Sequence, residues 1–343
     1  MFFKRFPFTL VTLITLTTFI VSSIANGPCV RQLTQPFNIS EEPTWDDRIK
    51  LLYFVDILAG RIYSYDPVTT ILNHIQLDGY VTPIIPTVHD THVFVAGLNR
   101  TLVAIRWYPK GSRLEAVGTL TTVAKQFPSS QFNDGKADAK GRLWIGTMGY
   151  ENSIGVVPNQ GSLYLITKEN IENPEVVIAP VNISNGLAWN KANTKFFYID
   201  TPTRQVRVYD FDLKAGKISN PKVVFDVSEH DELTGNPDGM TIDEDDNIWV
   251  ALYGGGAVVK VDTKTLKVLQ IIAIPALDVT SVSWGGEKLD ILFVTSSRFA
   301  LSPEERRQQP AAGSLFAVYN LGARGLPAHY ADVIDDVKLP CLR

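Results

Sequence analysis

Four polar residues occupy equivalent places in a repeated sequence pattern. Each lies 11 or 13 positions before the central aromatic residue of a short apolar segment; they are Glu41, Asn133, Asn185 and Asp238. In the two remaining repeats the same place holds Val81 or Thr82, and Thr280 or Ser281. Unpaired buried charges are costly, and a hard divalent cation prefers carboxylate and amide oxygens. If these places converge, they predict a metal site with Glu41, Asn185 and Asp238 as ligands and Asn133 nearby.

This ligand set limits the chemistry that the site could carry out. Oxygen-only ligation favours Ca²⁺, Mg²⁺ or Mn²⁺ over a structural zinc; we expect one divalent ion, Ca²⁺ before Mn²⁺, Mg²⁺ or Zn²⁺. A bound ion would polarise a carbonyl and lower the pKa of a water, with Asp238 as general base. The sequence contains no nucleophile elbow, P-loop or dinucleotide-binding fingerprint. The alternative is that the Asn-Gly and Asp-Gly dipeptides only form turns.

Six repeats must position these residues. Their aromatic markers follow one another at steps of 40 to 54 residues and are Phe54, Phe94, Trp144, Tyr198, Trp249 and Phe293. A second strand pattern follows each marker, and turn residues separate every pair. Six all-β units of this length predict a six-bladed β-propeller, in which the first strand of each blade lies nearest the central axis. A two-sheet sandwich would give fewer strands and no fixed period.

The first 25 residues differ from the rest of the chain. Lys4 and Arg5 precede an apolar segment over residues 8–20, and a small-residue cleavage site follows at residues 23–25. This pattern is typical of a secretory signal peptide; an uncleaved membrane anchor is the alternative. We therefore expect a secreted, extracellular protein, free of the membrane after cleavage, in which residues 26–343 form a single propeller domain.

Cysteines and glycosylation motifs agree with secretion. Cys29 and Cys341 are the two cysteines of the sequence and stand at the two ends of the mature chain. In an oxidising compartment such a pair predicts a disulfide that ties the ends of a closed ring together; two free thiols are the alternative. Three Asn-x-Ser/Thr sequons predict a glycoprotein, at Asn38, Asn99 and Asn182.

Composition excludes some partners. The 343 residues carry a net charge of -4 with 45% hydrophobic content, which suits a soluble globular protein and gives no basic surface for nucleic acid. We expect a monomer that takes a small-molecule substrate or ligand. Residues 332–336 have the composition of a solvated acidic tail.

Several motifs resemble the regucalcin (senescence marker protein)/gluconolactonase/luciferin-regenerating enzyme family. They run in order over nearly the whole mature chain: EEPTW (residues 41–45), NDGKAD (133–138), GRLWIGTM (141–148), SNGLAW (184–189) and PDGM (237–240). The resemblance implies a six-bladed propeller with one divalent metal on its axis that hydrolyses lactones. It implies Glu41, Asn185 and Asp238 as ligands, Asp238 as base, and Asn133 and Glu151 on the substrate side.

Two departures from the family pattern affect function. Family members often have a substrate-holding Arg at the place of Gln131, which cannot reproduce the fork of donors of a guanidinium. Regucalcin-like members are typically intracellular, whereas this chain begins with a secretory pattern. We therefore hold two hypotheses: a secreted metal-dependent lactonase or esterase-like hydrolase, and a non-enzymatic extracellular propeller that binds calcium or a small ligand. Asp238 favours the first hypothesis and Gln131 the second.

Overall fold

Six four-stranded antiparallel sheets form the molecule, each built from one sequence repeat. The computed structural model describes residues 27–152 and 155–335; the predicted signal peptide and Cys341 lie outside these residues. The first strand of each sheet contacts the first strand of the next sheet, and the last sheet contacts the first. The sheets therefore close into a ring, and the predicted six-bladed β-propeller is confirmed.

Blades 1 to 3 follow the chain from the axis outward. Blade 1 contains β2 (Ser40–Asp46), β3 (Leu51–Asp56), β4 (Arg61–Tyr65) and β5 (Leu72–Gln76). Blade 2 contains β6 (Val81–Pro86), β7 (Val93–Leu98), β8 (Thr101–Tyr108) and β9 (Arg113–Thr122). Blade 3 contains β10 (Gln131–Ala137), β11 (Leu143–Met148), β14 (Gly161–Ile166) and β15 (Glu175–Val181). A short hairpin, β12 (Glu151–Asn152) and β13 (Gly155–Val156), is inserted in blade 3.

Blades 4 to 6 repeat the arrangement. Blade 4 contains β16 (Ser184–Trp189), β17 (Lys195–Asp200), β18 (Gln205–Asp212) and β19 (Lys217–Asp226). Blade 5 contains β20 (Asn236–Ile242), β21 (Ile248–Tyr253), β22 (Ala257–Val261) and β23 (Val268–Ala273). Blade 6 contains β24 (Asp278–Gly285), β25 (Ile291–Ser297), β26 (Phe316–Tyr319) and β1 (Cys29–Gln32). Over the described ranges, two 3₁₀ turns (Thr201–Thr203 and Val227–Glu229) and one exposed helix, α1 (Pro303–Gln308), complete the fold.

The N-terminal strand closes the ring. β1 pairs with β26 in antiparallel register from Cys29 opposite Tyr319 to Gln32 opposite Phe316, so the start of the domain supplies the outer strand of the last blade. Cys29 is exposed in this strand. Because Cys341 is outside the described residues, the disulfide stays a prediction.

Apolar faces of neighbouring blades form the core. Six buried clusters occupy the six interfaces between blades, and each of the six aromatic markers belongs to one of them. Phe54 of blade 1 and Phe293 of blade 6, for example, share one cluster with Trp45. Sheets stacked face to face need such two-sided apolar strands, which explains why the marker segments are apolar on both faces.

Buried aspartates fix the end of three inner strands. Asp46, Asp138 and Asp243 each end or directly follow the inner strand of their blade and are fully buried. Each forms an ion pair, at 2.7 Å with Arg48, 2.7 Å with Arg142 and 3.2 Å with Lys260 respectively. The indoles of two markers, Trp144 and Trp249, donate to Asp138 and Asp243 at 2.9 and 3.0 Å. These aspartates therefore hold the fold together, a role that the sequence did not reveal.

The C-terminal segment crosses the ring and does not remain in solvent. Val333 and Ile334 are 1% and 7% exposed and pack in the core between blades 2 and 3. The expectation of a solvated tail over residues 332–336 is wrong for this part, because the apolar side chains between the acidic residues reach the core. Within the described residues no helix is long and apolar enough to cross a membrane.

Candidate metal centre

An irregularity of the inner strand places the predicted ligands. In all six blades the pairing of the first and second strands shifts at the same level, within residues 41–44, 81–84, 132–135, 185–187, 237–240 and 279–282. A β-bulge redirects side chains and interrupts the ladder. All four residues of the repeated pattern lie at these bulges, inside strands, so the interpretation of Asn185-Gly186 and Asp238-Gly239 as ordinary turns is wrong.

The bulges meet around the axis. Thr280 Oγ1 donates to the carbonyl of Ser40 at 2.7 Å, Thr82 Oγ1 to that of Asn133 at 3.1 Å, and Asn133 Nδ2 to that of Ser184 at 3.0 Å. Equivalent places of neighbouring blades are therefore in direct contact. The convergence that the spacing predicted is present.

Glycine is required where two bulges touch. A Cβ on Gly186 would lie 2.7 Å from the carbonyl oxygen of Asp238, and one on Gly239 would lie 2.0 Å from Ser281 Oγ. Real Cβ atoms do not approach other atoms so closely, so neither position accepts a side chain without displacement of the next blade. The glycines after Asn185 and Asp238 thus bring these two side chains to the axis.

Glu41, Asn185 and Asp238 form one buried group. They are 6%, 3% and 6% exposed. Asn185 Nδ2 donates to Asp238 Oδ1 and, at 2.9 Å, to Thr201 Oγ1. Burial raises the pKa of Glu41 well above its usual range, and the carboxylates of Asp238 and Asp134 raise it further. The three predicted ligands are therefore close enough to interact, although they come from blades 1, 4 and 5.

The carboxyls of this group repel one another. The pKa of Asp238 is also well above its usual range, first because the carboxyl is buried and then because Asp134 repels its charge. Among the described residues, no cationic side chain counts among the causes that act on Glu41 or Asp238. Two buried carboxylates that repel one another are stabilised by a shared cation.

The donor set fits a hard divalent ion. Glu41 and Asp238 supply carboxylate oxygens, and a half-turn of the Asn185 amide places its oxygen where its nitrogen now faces Asp238. Among the described residues, no group of three or more His, Cys, Asp and Glu side chains has the arrangement of a metal site. A metal here therefore depends on the amide of Asn185 and on water to complete its shell.

The predicted substrate-side residues take different places. Asn133 lies at the bulge of blade 3, one bulge away from Asn185. Gln131, at the start of β10, donates from Nε2 to Met148 Sδ at 3.5 Å. Glu151 is exposed in the inserted hairpin. Its hairpin follows the end of β11, where Met148 pairs with Gln131, so Glu151 lies at the end of the ring where β10 begins.

Sequence reasoning missed a second buried cluster beside the first. Glu42, adjacent to the predicted ligand Glu41, shares a hydrogen bond with Asp134, and Lys136 faces both carboxyls. Burial raises the pKa of Asp134 to about 6, against the lowering effects of Glu42 and Lys136. Lys136 Nζ also donates to the carbonyl of Met240 at 2.5 Å. The signal was present in the motif over residues 133–138, but its acidic and basic side chains also suited a turn.

The sequons differ in their surroundings. Asn38 and Asn99 are exposed, and Asn99 has a left-handed backbone (φ 53°) in a turn. Asn182 is half-buried; its Nδ2 donates to Asp200 at 3.0 Å and its Oδ1 accepts from the backbone N–H of Asn159 at 3.1 Å. These positions make Asn38 and Asn99 the better acceptors, and glycosylation stays a prediction.

Comparisons with known proteins agree with this geometry. The family model described as SMP-30/Gluconolactonase/LRE-like region matches residues 39–298. Regucalcin of Sus scrofa is 33% identical over 298 residues, which is 87% of this chain and 96% of that protein. The structure of a luciferin-regenerating enzyme superposes with a TM-score of 0.83 at 32% identity and covers 89% of this chain and 99% of that chain. A calcium-binding protein, regucalcin from Agrobacterium tumefaciens, superposes with a TM-score of 0.77 at 21% identity and covers 88% of this chain and 96% of that chain.

The fold and the site define a class of protein: six-bladed propellers whose inner strands bring two carboxylates and an amide to the axis. Within that class the chain belongs to the SMP-30/gluconolactonase/LRE-like family. The resemblance expected from the motifs is confirmed.

Proposed function

We propose that this protein is a secreted, divalent-metal-dependent hydrolase that opens lactones or related esters. The observation that carries the proposal is the buried group of Glu41, Asn185 and Asp238 at the bulges of three blades, in which Asn185 donates to Asp238 and the two carboxyls repel one another. Membership of a family that includes gluconolactonases supports the reaction class.

The side chains would divide the work as follows. A bound ion, Ca²⁺ before Mn²⁺, Mg²⁺ or Zn²⁺, would polarise the ester carbonyl and acidify a water. Glu41 and Asn185 would hold the ion, and Asp238 would both hold it and take the proton of the attacking water. Asn133 and Gln131 would orient the substrate through hydrogen bonds from their amides. The tight contacts of Gly186 and Gly239 keep the ligand-bearing strands in register.

Metal-dependent turnover tests the proposal. The secreted protein is stripped with a chelator and assayed on a panel of small lactones and aryl esters after the addition of each ion separately. We expect hydrolysis to return with one or more ions and to be lost in Glu41→Gln. Silence on every substrate, from a folded protein that still binds the ion, would overturn the enzymatic proposal.

A non-enzymatic binding function is the second candidate. Its support is Gln131, which stands where the family often has a cation and whose amide is turned toward Met148. A solved relative is described as a calcium-binding protein. Calorimetric Ca²⁺ binding without turnover would favour this candidate.

Secretion has its own test. We propose cleavage near Asn26 and glycans at Asn38 and Asn99, because both asparagines are exposed. Expression in a eukaryotic secretory host should give a mass decrease on glycosidase treatment and an N-terminus near residue 26. An unmodified, cell-retained chain would refute this part alone.

A further inference from the structure

A second concave site lies at the opposite end of the inner strands. The predicted ligands occupy the beginnings of these strands, whereas a cavity of about 330 Å³ is formed by their ends. We name it the lower cavity; Ile85, Lys136, Leu187, Trp189, Trp284 and Leu326 are among the residues that line it. Its volume falls in the range of about 300–1,000 Å³ that is usual for small-molecule sites. None of Glu41, Asn185 and Asp238 belongs to its lining.

The C-terminal segment covers this cavity as a strap, which we define as residues 326–330. The N–H of Gly325 donates to the carbonyl of Leu289 at 2.8 Å, and the N–H of Ala331 donates to that of Pro86 at 2.9 Å. Between these two anchors, no backbone-to-backbone hydrogen bond fixes the strap to the described part of the chain. The strap is therefore tied at both ends by backbone hydrogen bonds, and between them it is held by side-chain contacts, such as the packing of Leu326 on the core and of Tyr330 under Arg48.

The walls of the lower cavity are mainly apolar and contain unsatisfied donors. Trp189 and Trp284 line it, are 6% and 3% exposed, and have indole N–H groups without a hydrogen-bond partner. Buried donors without partners are rare and destabilising. The indoles of Trp144 and Trp249, by contrast, donate to buried aspartates. The two unpartnered indoles thus both belong to cavity-lining residues.

The charge of the cavity disfavours ions. Two lysines line the cavity: Lys191 is exposed to solvent, whereas the half-buried ammonium of Lys136 donates to the carbonyl of Met240 and faces the carboxyls of Glu42 and Asp134. An anionic ligand would meet these carboxyls, and a cationic ligand would meet Lys136. An uncharged ligand avoids both penalties.

We propose that the lower cavity binds an uncharged, mainly apolar ring compound that carries a hydrogen-bond acceptor. The apolar walls bury the ring, the strap covers it, and the acceptor pairs with an indole N–H after a small adjustment of the ring. The site is separate from the candidate metal centre and does not depend on hydrolysis.

Binding of a neutral fluorescent ketone tests this site. The probe is 6-propionyl-2-dimethylaminonaphthalene, whose emission shifts to the blue in apolar surroundings, titrated into the full secreted protein with and without chelator. We expect saturable binding at one site, unchanged by metal removal and tighter than that of the anionic probe 8-anilinonaphthalene-1-sulfonate. Absence of saturable binding, or tighter binding of the anion, would overturn the proposal.

Matched variants locate the bound probe. Ala328→Trp adds bulk at a strap residue that belongs to none of the described core clusters, and it should weaken probe binding at least 10-fold. Ala215→Trp makes the same change at an exposed turn residue that does not line the cavity and should leave binding unaltered. Equal affinity in Ala328→Trp, with the melting temperature of both variants unchanged, would place the probe elsewhere and refute the assignment.

A ligand pair tests the acceptor. 2-Acetylnaphthalene should displace the probe about 2- to 10-fold more effectively than 2-ethylnaphthalene, because a neutral hydrogen bond contributes that much to binding. Equal displacement by the ketone and the hydrocarbon would show that the indole N–H groups do not contact the ligand.

Discussion

Replacement of Asp238 by Asn should have opposite effects on the metal-free and metal-bound protein. Asp238→Asn keeps the shape of the side chain and removes its charge. In the metal-free protein this change relieves the repulsion that raises the pKa of Glu41, so the free energy of unfolding should rise at neutral pH. In the presence of the ion it should fall relative to wild type, because a charged ligand is missing.

The two magnitudes can be worked out separately. A ligand that binds only the folded state, at a concentration of 100 times its dissociation constant, adds about 2.7 kcal/mol to the free energy of unfolding. Asp238→Asn should lose most of this increment. Loss of a general base lowers the rate by about 10²- to 10⁴-fold, which corresponds to about 3–5 kcal/mol in the activation barrier. The loss in kcat should therefore exceed what incomplete metal saturation explains, and saturating metal should not restore it.

Thermal unfolding with chelator and with saturating Ca²⁺, followed by hydrolysis assays, checks both effects. Asp78→Asn is the matched control, since Asp78 is exposed and the chemical change is the same. The reasoning is refuted if Asp238→Asn lowers the melting temperature in chelator and retains the full increment from Ca²⁺. That result would make Asp238 a structural residue and not a ligand.

Three further outcomes are expected. In chelator, the free energy of unfolding should fall as pH rises from about 4 through the raised pKa values of the two metal-centre carboxyls, because the folded state holds more protons than the unfolded state there; Ca²⁺ should remove this slope in pH-dependent denaturant titrations. Asp243→Ala should cost about 3–5 kcal/mol of unfolding free energy because it leaves Lys260 and the Trp249 indole unpaired, whereas Asp245→Ala at an exposed position should change it by less than about 0.5 kcal/mol. Gln131→Arg should raise kcat/KM for polar sugar lactones roughly 10- to 100-fold through a charge-assisted hydrogen bond. If kcat/KM is the same in Gln131→Arg and Gln131→Lys, residue 131 does not bind the substrate.

The ring and its repeats could be predicted from sequence because each blade repeats the same physical demand. A strand between two stacked sheets must be apolar on both faces, so the marker segments around Phe54 and Trp249 are recognisable without an alignment. Similar spacing, of 13 and 11 residues before the marker, then placed Glu41 and Asp238 at one level of the ring. The turn between the first and second strands differs in length by a few residues, but the inner strands still align side by side around the axis.

The bulges could not be predicted, and they change what the dipeptides mean. Asn185-Gly186 and Asp238-Gly239 have turn composition, but the glycine is needed for the close approach of the neighbouring blade. Local sequence does not record a contact with a strand about 50 residues away. The same limit hid the contact of Glu42 with Asp134, since each residue taken alone reads as a solvated charge.

Acidic residues concentrated on one axis are costly to a protein that contains no cation. Asp134 raises the pKa of both Glu41 and Asp238, and Asp238 raises that of Glu41. The half-buried Lys136 faces Asp134 and Glu42. Proteins commonly keep residues that lower the stability of the fold where those residues serve function. A structural role alone would be met better by apolar side chains at these bulges, as Val81 of blade 2 shows at the edge of its own bulge. Acidic residues are therefore distributed unevenly around an otherwise sixfold ring. This is the strongest physical reason to seek a bound cation at the end of the axis where the bulges lie.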